Sequence, residues 1–255
     1  MAPTLPPDYV APHGLLMDTT VVVTAAAGTG IGFATAKRCI EEGASVVVSD
    51  AHVRRCAEAA EQLGVPGIPC DVTDEAQVQA LVAAAGSQLG RIDVLVNNAG
   101  LGGTATVATM TDEQWSKVID VTLTGTFRMT RAALNHMQLH GGGVIVNNAS
   151  VLGWRAQHGQ AHYAAAKAGV MALTRCAAIE AAPLGIRINA VAPSIAIHPF
   201  LAKVTTDELI EELTAREAFG RAAEPWEIAN VIVFLASAYS SYMTGETVSV
   251  SSQRA

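Results

Sequence analysis

A short alanine-rich stretch, HYAAAK at residues 162–167, carries the residue types best suited to proton transfer. Alanine favours helix, and positions four apart share a helix face, so the phenol of Tyr163 and the ammonium of Lys167 are neighbours. A nearby positive charge favours tyrosinate, and we expect it to lower the phenol pKa from its ordinary value of about 10. The spacing also fits a half-exposed ring beside a solvated lysine. The pair alone leaves both interpretations open.

A glycine-rich stretch, VVVTAAAGTGIGFATAKR, runs from an apolar strand pattern into a helical pattern. Such a turn lets the backbone and a helix N-terminus approach a pyrophosphate. Asp50 follows 18 residues after the last of these glycines, where a carboxylate can bind a ribose 2′-hydroxyl. The pattern favours NAD(H) over NADP(H), although Arg54 and Arg55 lie nearby; a tight turn with a capping aspartate is the alternative. The turn residues that would contact the cofactor are Gly28, Thr29, Gly30, Ile31 and Gly32.

These groups need a scaffold, and the chain shows a repeating one. Short β-branched runs alternate with helical stretches of ten or more residues, and the runs are continuously apolar, as in strands covered on both faces. We predict an α/β fold, a single Rossmann-type domain with a doubly wound parallel sheet of about seven strands and helices on both faces. The predicted strands are residues 20–24, 44–50, 65–70, 92–98, 143–150, 186–193 and 247–251.

The chain is expected to divide into a flexible N-terminal arm, residues 1–14, and one dinucleotide-binding domain, residues 15–255. The arm has three prolines in its first seven residues and lacks the pattern of a signal peptide or anchor. Residues 194–246 form the longest stretch without an obvious strand, which leaves room for a ligand-covering segment.

Composition narrows the classes of function. Half of the 255 residues are apolar, and the formal charge of -7 argues against a nucleic-acid or anionic-membrane surface. No apolar run reaches the roughly 18 residues that a membrane span needs. The four cysteines lack metal-site or disulfide-scaffold spacing, so we expect no metal and a reducing cytoplasm. A small-molecule ligand fits best.

Further motifs follow in a fixed order: a turn ending GIG, CDVTD (70–74), NNAG (97–100), Ser150 in NNASVLG, YAAAK thirteen residues later, and RINAVAP (187–193). In this order and spacing the chain resembles the short-chain dehydrogenase/reductase family over nearly its whole length after residue 14. The resemblance implies an NAD(H)-dependent oxidoreductase that interconverts a secondary alcohol and a ketone. It makes Tyr163 the general acid/base, Lys167 its activator and ribose anchor, and Ser150 the hydroxyl that holds the substrate oxygen.

The resemblance also implies cofactor contacts outside the glycine turn. For NNAG, an amide network that holds the strand ends together is an equal alternative. The implied contacts are Asp71 and Val72 at the adenine, then Asn97, Ala99, Gly100, Tyr163, Lys167, Pro193 and Ile195.

Four features depart from the family pattern. Ala25 replaces a usual glycine, and we expect the following glycines to take over the turn. Thr122 replaces an asparagine of the catalytic set, and its hydroxyl could bond to the preceding helical turn instead. Ser194 replaces a glycine, and His198 stands where a threonine commonly meets the nicotinamide carboxamide, unless it lies in an exposed loop. The tail TGETVSVSSQRA lacks the usual Asp-Gly-Gly ending, which questions its packing at a subunit interface, although a homo-oligomer, dimer or tetramer, is still expected.

Substrate specificity is expected from residues 151–162 and from a covering segment, about residues 195–215. Leu152 and Trp154 would form an apolar wall, and Arg155 would pair with a carboxylate or a coenzyme A phosphate, or with solvent. His198 is a further candidate. The pattern is similar to actinobacterial members linked to sterol or acyl catabolism, which predicts a hydrophobic, steroid-derived or acyl substrate with an acid or a coenzyme A thioester.

A second class of function stays open on the sequence alone. The departures at Thr122, Ser194 and the glycine turn also fit a non-catalytic relative that binds dinucleotide as a sensor or scaffold. The intact Ser150, Tyr163 and Lys167 argue against it.

Overall fold

A parallel seven-stranded sheet forms the centre of the protein in a computed structural model that describes residues 4–197 and 207–252. The strand order is β3-β2-β1-β4-β5-β6-β7, with every neighbouring pair parallel. All seven predicted strands are present, with ends displaced by no more than two residues. They are β1 (Thr20–Val23), β2 (Ser45–Asp50), β3 (Gly67–Pro69), β4 (Val94–Asn97), β5 (Gly143–Asn148), β6 (Ile186–Pro193) and β7 (Thr247–Val250).

Helices cover both faces of the sheet, as predicted. Buried side chains of α3, α5 and α6 pack on one face, and those of α1, α2 and α8 pack on the other. A π-helical turn, Asp120–Thr124, joins α4 directly to α5. The helices in the described ranges are α1 (Ile31–Glu41), α2 (Val53–Leu63), α3 (Glu75–Leu89), α4 (Asp112–Ile119), α5 (Gly125–Met137), α6 (Ala161–Ala181), α7 (Asp207–Ala215) and α8 (Pro225–Ala236).

The strand order reverses between β1 and β4, which lie side by side at the centre of the sheet. At such a reversal, the connections that follow the two central strands run to opposite sides of the sheet. This opens a crevice at the carboxyl ends of the strands, where dinucleotides bind in sheets of this kind. The fold therefore directs attention to the loops that follow β1, β4, β5 and β6.

Residues 4–14, the described part of the N-terminal arm, contain no helix or strand but contact α1. Arg38 and Glu42 form a buried ion pair on α1. Arg38 also donates to the carbonyls of Val10 and Ala11, and Glu42 accepts from the N–H groups of residues 13 and 15. A buried pair needs such extra hydrogen bonds to offset the loss of water. The arm supplies three of these bonds and Leu15 supplies the fourth, while the domain boundary at residue 14 stays a prediction.

In the described ranges, no helix combines the length and apolar character that crossing a membrane requires.

Candidate active site

Ser150, Tyr163 and Lys167 meet beyond the carboxyl end of β5. Ser150 lies two residues after the strand, where its Oγ accepts from the N–H of Leu152 at 3.2 Å and shares a hydrogen bond with the Tyr163 hydroxyl. Tyr163 and Lys167 lie one turn apart near the start of α6, with the Lys167 Nζ 5.5 Å from the centroid of the phenol ring. The sequence prediction of one helix face is realised, and the fold adds the serine.

Burial controls the protonation of this cluster. It raises the pKa of Tyr163 to about 12, against the lowering effect of the Ser150 hydrogen bond, and it lowers the pKa of Lys167 to about 8. The Lys167 Nζ donates to the backbone carbonyl of Asn148 and lies over the phenol ring. The expectation of a phenol pKa below its ordinary value is therefore wrong in this arrangement. Removal from water disfavours tyrosinate more than the Ser150 hydrogen bond favours it.

Thr122 lies fully buried in the π-helical turn and holds the loop that follows β4. Its Oγ1 accepts from the N–H of Leu101 at 3.0 Å and donates to the carbonyl of the same residue at 3.2 Å. The alternative in which this hydroxyl bonds to the preceding helical turn is wrong. The threonine instead fixes the backbone next to Gly100, where an added Cβ would lie 3.4 Å from the Lys167 Nζ.

The glycine turn presents an open helix N-terminus. Gly30 precedes α1, and no described side chain caps the first N–H groups of that helix. Gly28 adopts φ +97° with free space on its Cβ side. Such free N–H groups and an exposed backbone suit a pyrophosphate. Gly28 takes over part of the turn as expected, and Ala25 itself also keeps a left-handed φ of +48°.

A chain of amide groups links this turn to Lys167. Asn98 Nδ2 donates to the Ala25 carbonyl at 3.0 Å, and Asn148 Nδ2 donates to Asn98 Oδ1 at 2.8 Å. The backbone carbonyl of Asn148 then accepts from Lys167. Asn148 Oδ1 is buried with no hydrogen-bond partner in the described part of the chain, which leaves an acceptor for a bound ligand. Sequence reasoning missed both asparagines as site residues, although each ends an apolar strand run.

Gly32 is required where the turn packs against β4. A Cβ at this position would lie 2.4 Å from both the Ala25 carbonyl oxygen and Asn98 Nδ2. Thr24, also missed, accepts from the N–H groups of Asn98 and Ala99 at 3.0 and 3.2 Å. These contacts place the backbone of NNAG directly beside the turn.

Asp50 ends β2 next to the glycine turn, because the N–H of Ala26 donates to the Ser49 carbonyl. One of its carboxylate oxygens, Oδ1, accepts from the N–H of His52 at 2.9 Å. This placement fits a ribose contact at the end of the second strand.

Other predicted cofactor residues serve the fold through their side chains. The Asp71 carboxylate accepts from the N–H and the hydroxyl of Thr73, and Val72 belongs to the core beside α3 and α5. Asn97 Nδ2 donates to Thr130 and Asn147, so its amide shows the strand-holding network that the alternative described. Its proposed cofactor contact is therefore not supported by its side-chain direction.

The predicted substrate residues border the same edge of the sheet. Leu152 is half-buried, Trp154 is 52% exposed and Arg155 is exposed. Pro193 and Ile195 are buried at the end of β6, where Ala196 forms an isolated bridge with Ala223. The prediction for His198 lies outside the described residues.

Comparison with known proteins agrees with this geometry. A family model described as enoyl-(acyl carrier protein) reductase matches residues 25–252. A crystal structure of a short chain dehydrogenase from Mycobacterium smegmatis superposes with a TM-score of 0.88 at 58% identity and covers 98% of each chain. The chain belongs to the short-chain dehydrogenase/reductase family. The resemblance and its actinobacterial character are confirmed, and the protein is an oxidoreductase of the CH–OH/C=O class.

Two curated relatives have names that describe a substrate. A Mycobacterium tuberculosis protein named (5R,7aS)-5-hydroxy-7a-methyl-1-oxo-2,3,5,6,7,7a-hexahydro-1H-indene-carboxyl-CoA reductase is 63% identical over 254 residues, 97% of each chain. Cis-4-hydroxycyclohexanecarboxylate dehydrogenase of Sinomonas cyclohexanicum is 41% identical over 236 residues, 90% of this chain and 94% of its own. With these relatives and the assembled Ser150, Tyr163 and Lys167, the non-catalytic alternative is not favoured.

Proposed function

We propose that the protein interconverts a ring ketone and a secondary alcohol on a hydrophobic substrate joined to coenzyme A, with NAD(H) as the redox cofactor. The observation that carries the chemistry is the hydrogen-bonded Ser150–Tyr163 pair with Lys167 beside it, at the sheet edge that also holds the open glycine turn. The coenzyme A part is supported by the 63% identical relative, whose name combines a fused bicyclic ring with a carboxyl-CoA group.

The residues present divide the work of ketone reduction. A bound nicotinamide cofactor would supply the hydride. Ser150 donates a hydrogen bond to the ketone oxygen and stabilises charge that develops there, while the phenol of Tyr163 gives that oxygen a proton. Lys167 then stabilises the tyrosinate until it regains a proton from water. A phenol pKa of about 12 keeps Tyr163 protonated at neutral pH, which suits its role as the acid.

The cofactor preference is assigned to Asp50. The glycine turn and the start of α1 would bind the pyrophosphate, and the Asp50 carboxylate would accept from the ribose 2′-hydroxyl and repel a 2′-phosphate. Two arginines, Arg54 and Arg55, lie near Asp50 in the sequence. Arg54 Nε lies 3.5 Å from Glu58 Oε1 in an exposed ion pair, so the charge of Arg54 already has a partner. Arg55 Nε is buried without a hydrogen-bond partner among residues 4–197 and 207–252, so this residue belongs in the test.

Titration with NADH and NADPH, followed by nicotinamide fluorescence, tests the cofactor assignment. We expect NADH to bind at least about tenfold more tightly, since an unfavourable charge contact of about 1.4 kcal/mol suffices for that ratio. Asp50→Asn should narrow the ratio of the two affinities, whereas Glu61→Gln, a change at an exposed residue of α2, should leave that ratio unchanged. Equal binding of both cofactors, or a preference for NADPH that Arg55→Gln removes, contradicts the proposal.

Steady-state kinetics on matched substrates test the coenzyme A part. The compounds are one bicyclic ketone prepared as its CoA thioester, its free acid and its neutral methyl ester. The thioester should have the highest kcat/KM of the three. Arg155→Ala is expected to lower kcat/KM for the charged substrates only, and Arg175→Ala, an exposed arginine on α6, serves as the matched control. Equal turnover of all three compounds would overturn the substrate assignment.

We further infer that the protein is a cytoplasmic homo-oligomer, either a dimer or a tetramer. In the described part of the chain all four cysteines are free, and three of them are buried, which suits a reducing compartment. Large apolar side chains such as Phe127, Ile179 and Tyr242 are exposed on the single chain. Light scattering of the purified protein tests the association, and a monomer at micromolar concentration contradicts it.

A further inference from the structure

Residues 194–222, of which 198–206 lie outside the described part of the chain, are called the excursion from the carboxyl edge of the sheet. The chain leaves β6 at Pro193 and returns at Ala223, whose N–H donates to the Ile195 carbonyl at 2.9 Å. The N–H of Ile197 donates back to the Ala223 carbonyl at 3.3 Å, so the two limbs are tied at their base. The excursion contains α7 and begins at the sheet edge that carries Ser150 and Tyr163.

The return limb is held a second time, after α7, by the C-terminal tail. Glu217 is only 3% exposed, and its Oε2 accepts from the Ser252 N–H at 3.1 Å and from the Ser252 hydroxyl at 2.8 Å. The N–H of Ala218 donates to the Ser252 carbonyl at 2.6 Å. Ser252 lies two residues beyond β7, so the tail crosses directly from the sheet to the limb. We call Glu217, Ala218 and Ser252 the terminal clasp.

The N-terminal arm reaches the same point. The N–H and the hydroxyl of Thr4 both donate to the carbonyl of Phe219, at 2.9 and 3.2 Å. Thr4 and Ser252 therefore both contact residues 217–219. The unusual C-terminal sequence, which lacks the family's ending, has a contact within its own chain.

Burying the Glu217 carboxylate at this position has a desolvation cost. Glu217 Oε1 has no hydrogen-bond partner within the described residues, so the group is stabilised mainly through its two bonds to Ser252. Apolar packing would hold a turn without this desolvation cost. A hydrogen-bonded carboxylate instead fixes one direction and one register between the tail and the limb.

We propose that Glu217 is a positioning residue that, through the terminal clasp, fixes the return limb of the excursion and so the substrate-binding side of the active site. It acts without contact with the cofactor. The reference to substrate rests on the proposed function, whereas the restraint of the limb does not.

Kinetics separate this role from a general structural one. Because both hydrogen bonds to Ser252 are lost, Glu217→Ala should raise the KM for the CoA-linked ketone by about tenfold or more. The value of kcat and the Kd of NADH should stay within about twofold, since neither Tyr163 nor the glycine turn moves. Glu217→Gln keeps a carbonyl oxygen for Ser252 and should restore most of the wild-type KM. Glu211→Ala removes an exposed carboxylate of α7 and serves as the control.

Hydrogen exchange tests the clasp without any substrate. Amides of residues 207–222 should exchange faster in Glu217→Ala than in the wild type, with Glu217→Gln and Glu211→Ala close to the wild type. If Glu217→Ala does not fold, Ser252→Ala removes one hydrogen bond and should give a smaller effect in the same direction.

The outcomes separate the two claims. Unchanged exchange in both Glu217→Ala and Ser252→Ala overturns the clasp, and faster exchange with an unchanged KM overturns its effect on substrate. Faster exchange in an enzyme that turns over no CoA-linked ketone supports the clasp and contradicts the proposed function.

Discussion

Burial acts on both titratable side chains of the active site in the direction that keeps them neutral. Burial raises the pKa of the Tyr163 phenol to about 12 and lowers the pKa of the Lys167 amine to about 8. Under the proposed function, reduction needs a protonated phenol and, once the proton has moved, a cation beside the tyrosinate. We therefore expect the protonation of Lys167, and not that of Tyr163, to limit the rate in the accessible pH range.

The pKa of Lys167 predicts how the rate of ketone reduction depends on pH. With NADH saturating, kcat/KM for ketone reduction should be level below about pH 8 and fall above it as Lys167 deprotonates. Arginine stays charged throughout this range, so Lys167→Arg, although slower, should lack the falling limb. The rates would be measured from about pH 6 to about pH 10. A fall that is the same in both proteins would show that another group titrates.

Ala25 stores backbone strain in the cofactor turn. Its φ of +48° lies in the left-handed region, which costs an L-residue about 1–2 kcal/mol and glycine very little. Ala25→Gly should therefore raise the free energy of unfolding by about 0.5–1 kcal/mol, after the greater chain entropy of glycine is subtracted. Urea unfolding measures the change, and NADH affinity should be kept. Ala26→Gly, at a fully buried neighbour without positive φ, should be destabilised; a loss of stability in Ala25→Gly would contradict the account.

At the scale of elements, the π-helical turn between α4 and α5 connects a helix pair to the loop after β4. Thr122 Oγ1 makes both of the hydrogen bonds that hold Leu101 to this turn. The loop residues Gly100 and Leu101 lie beside Lys167 and Thr122, so the turn determines how closely the backbone approaches Lys167.

Thr122→Val tests this connection with little change of shape. It leaves the N–H and the carbonyl of Leu101 without their partner, which should lower the free energy of unfolding by about 1–3 kcal/mol. Thr122→Ser keeps the hydroxyl and should lose less. Urea unfolding of the three proteins gives the comparison, and a valine variant as stable as the wild type would mean that the hydroxyl does not restrain the loop.

At the scale of the whole molecule, we expect acid to lower the stability of the fold through His136. Its Nε2 accepts from the Ile92 N–H at 3.2 Å, and its ring stacks on His140 at 4.1 Å between centroids and packs against Gly86 of α3. Burial, then His140 and Arg91, lowers the pKa of His136 below 6.5. The folded protein therefore resists the proton that the unfolded chain accepts.

The free energy of unfolding should thus contain a His136 contribution that is complete above about pH 6.5 and lost as pH falls toward the lower folded pKa. His136→Gln offers an acceptor to Ile92 without titrating, so its stability should fall less over this interval. Urea unfolding at a series of pH values makes the comparison. Parallel curves for the two proteins would exclude His136 as the source.

The sheet could be predicted from the sequence because strands covered on both faces are continuously apolar. The runs around Val22, Val47 and Val146 therefore stand out from the helical stretches. The proximity of Tyr163 and Lys167 could be predicted because i, i+4 spacing is a local property of a helix. The direction of Asn97 into the sheet and the contact of Thr122 with Leu101 depend on neighbours distant in sequence, and no pattern in the chain encodes them. The Tyr163 pKa was mispredicted because spacing reports the nearby charge but not the loss of water.

The arm illustrates the same limit at the scale of the molecule. Proline-rich composition predicts a loose segment, and only the folded α1 reveals that the buried Arg38–Glu42 pair takes most of its remaining hydrogen bonds from that segment.

The most direct test of the account is a single-turnover measurement of NADH oxidation with the CoA-linked bicyclic ketone, in the wild type and in Tyr163→Phe. The phenylalanine keeps the ring and removes the acid, so NADH should bind equally well while the rate falls by about 10²–10⁴-fold. Tyr239→Phe, at an exposed tyrosine, is the matched control and should react at the wild-type rate. A Tyr163→Phe protein that oxidises NADH as fast as the wild type would contradict proton transfer by Tyr163 and the mechanism built on it.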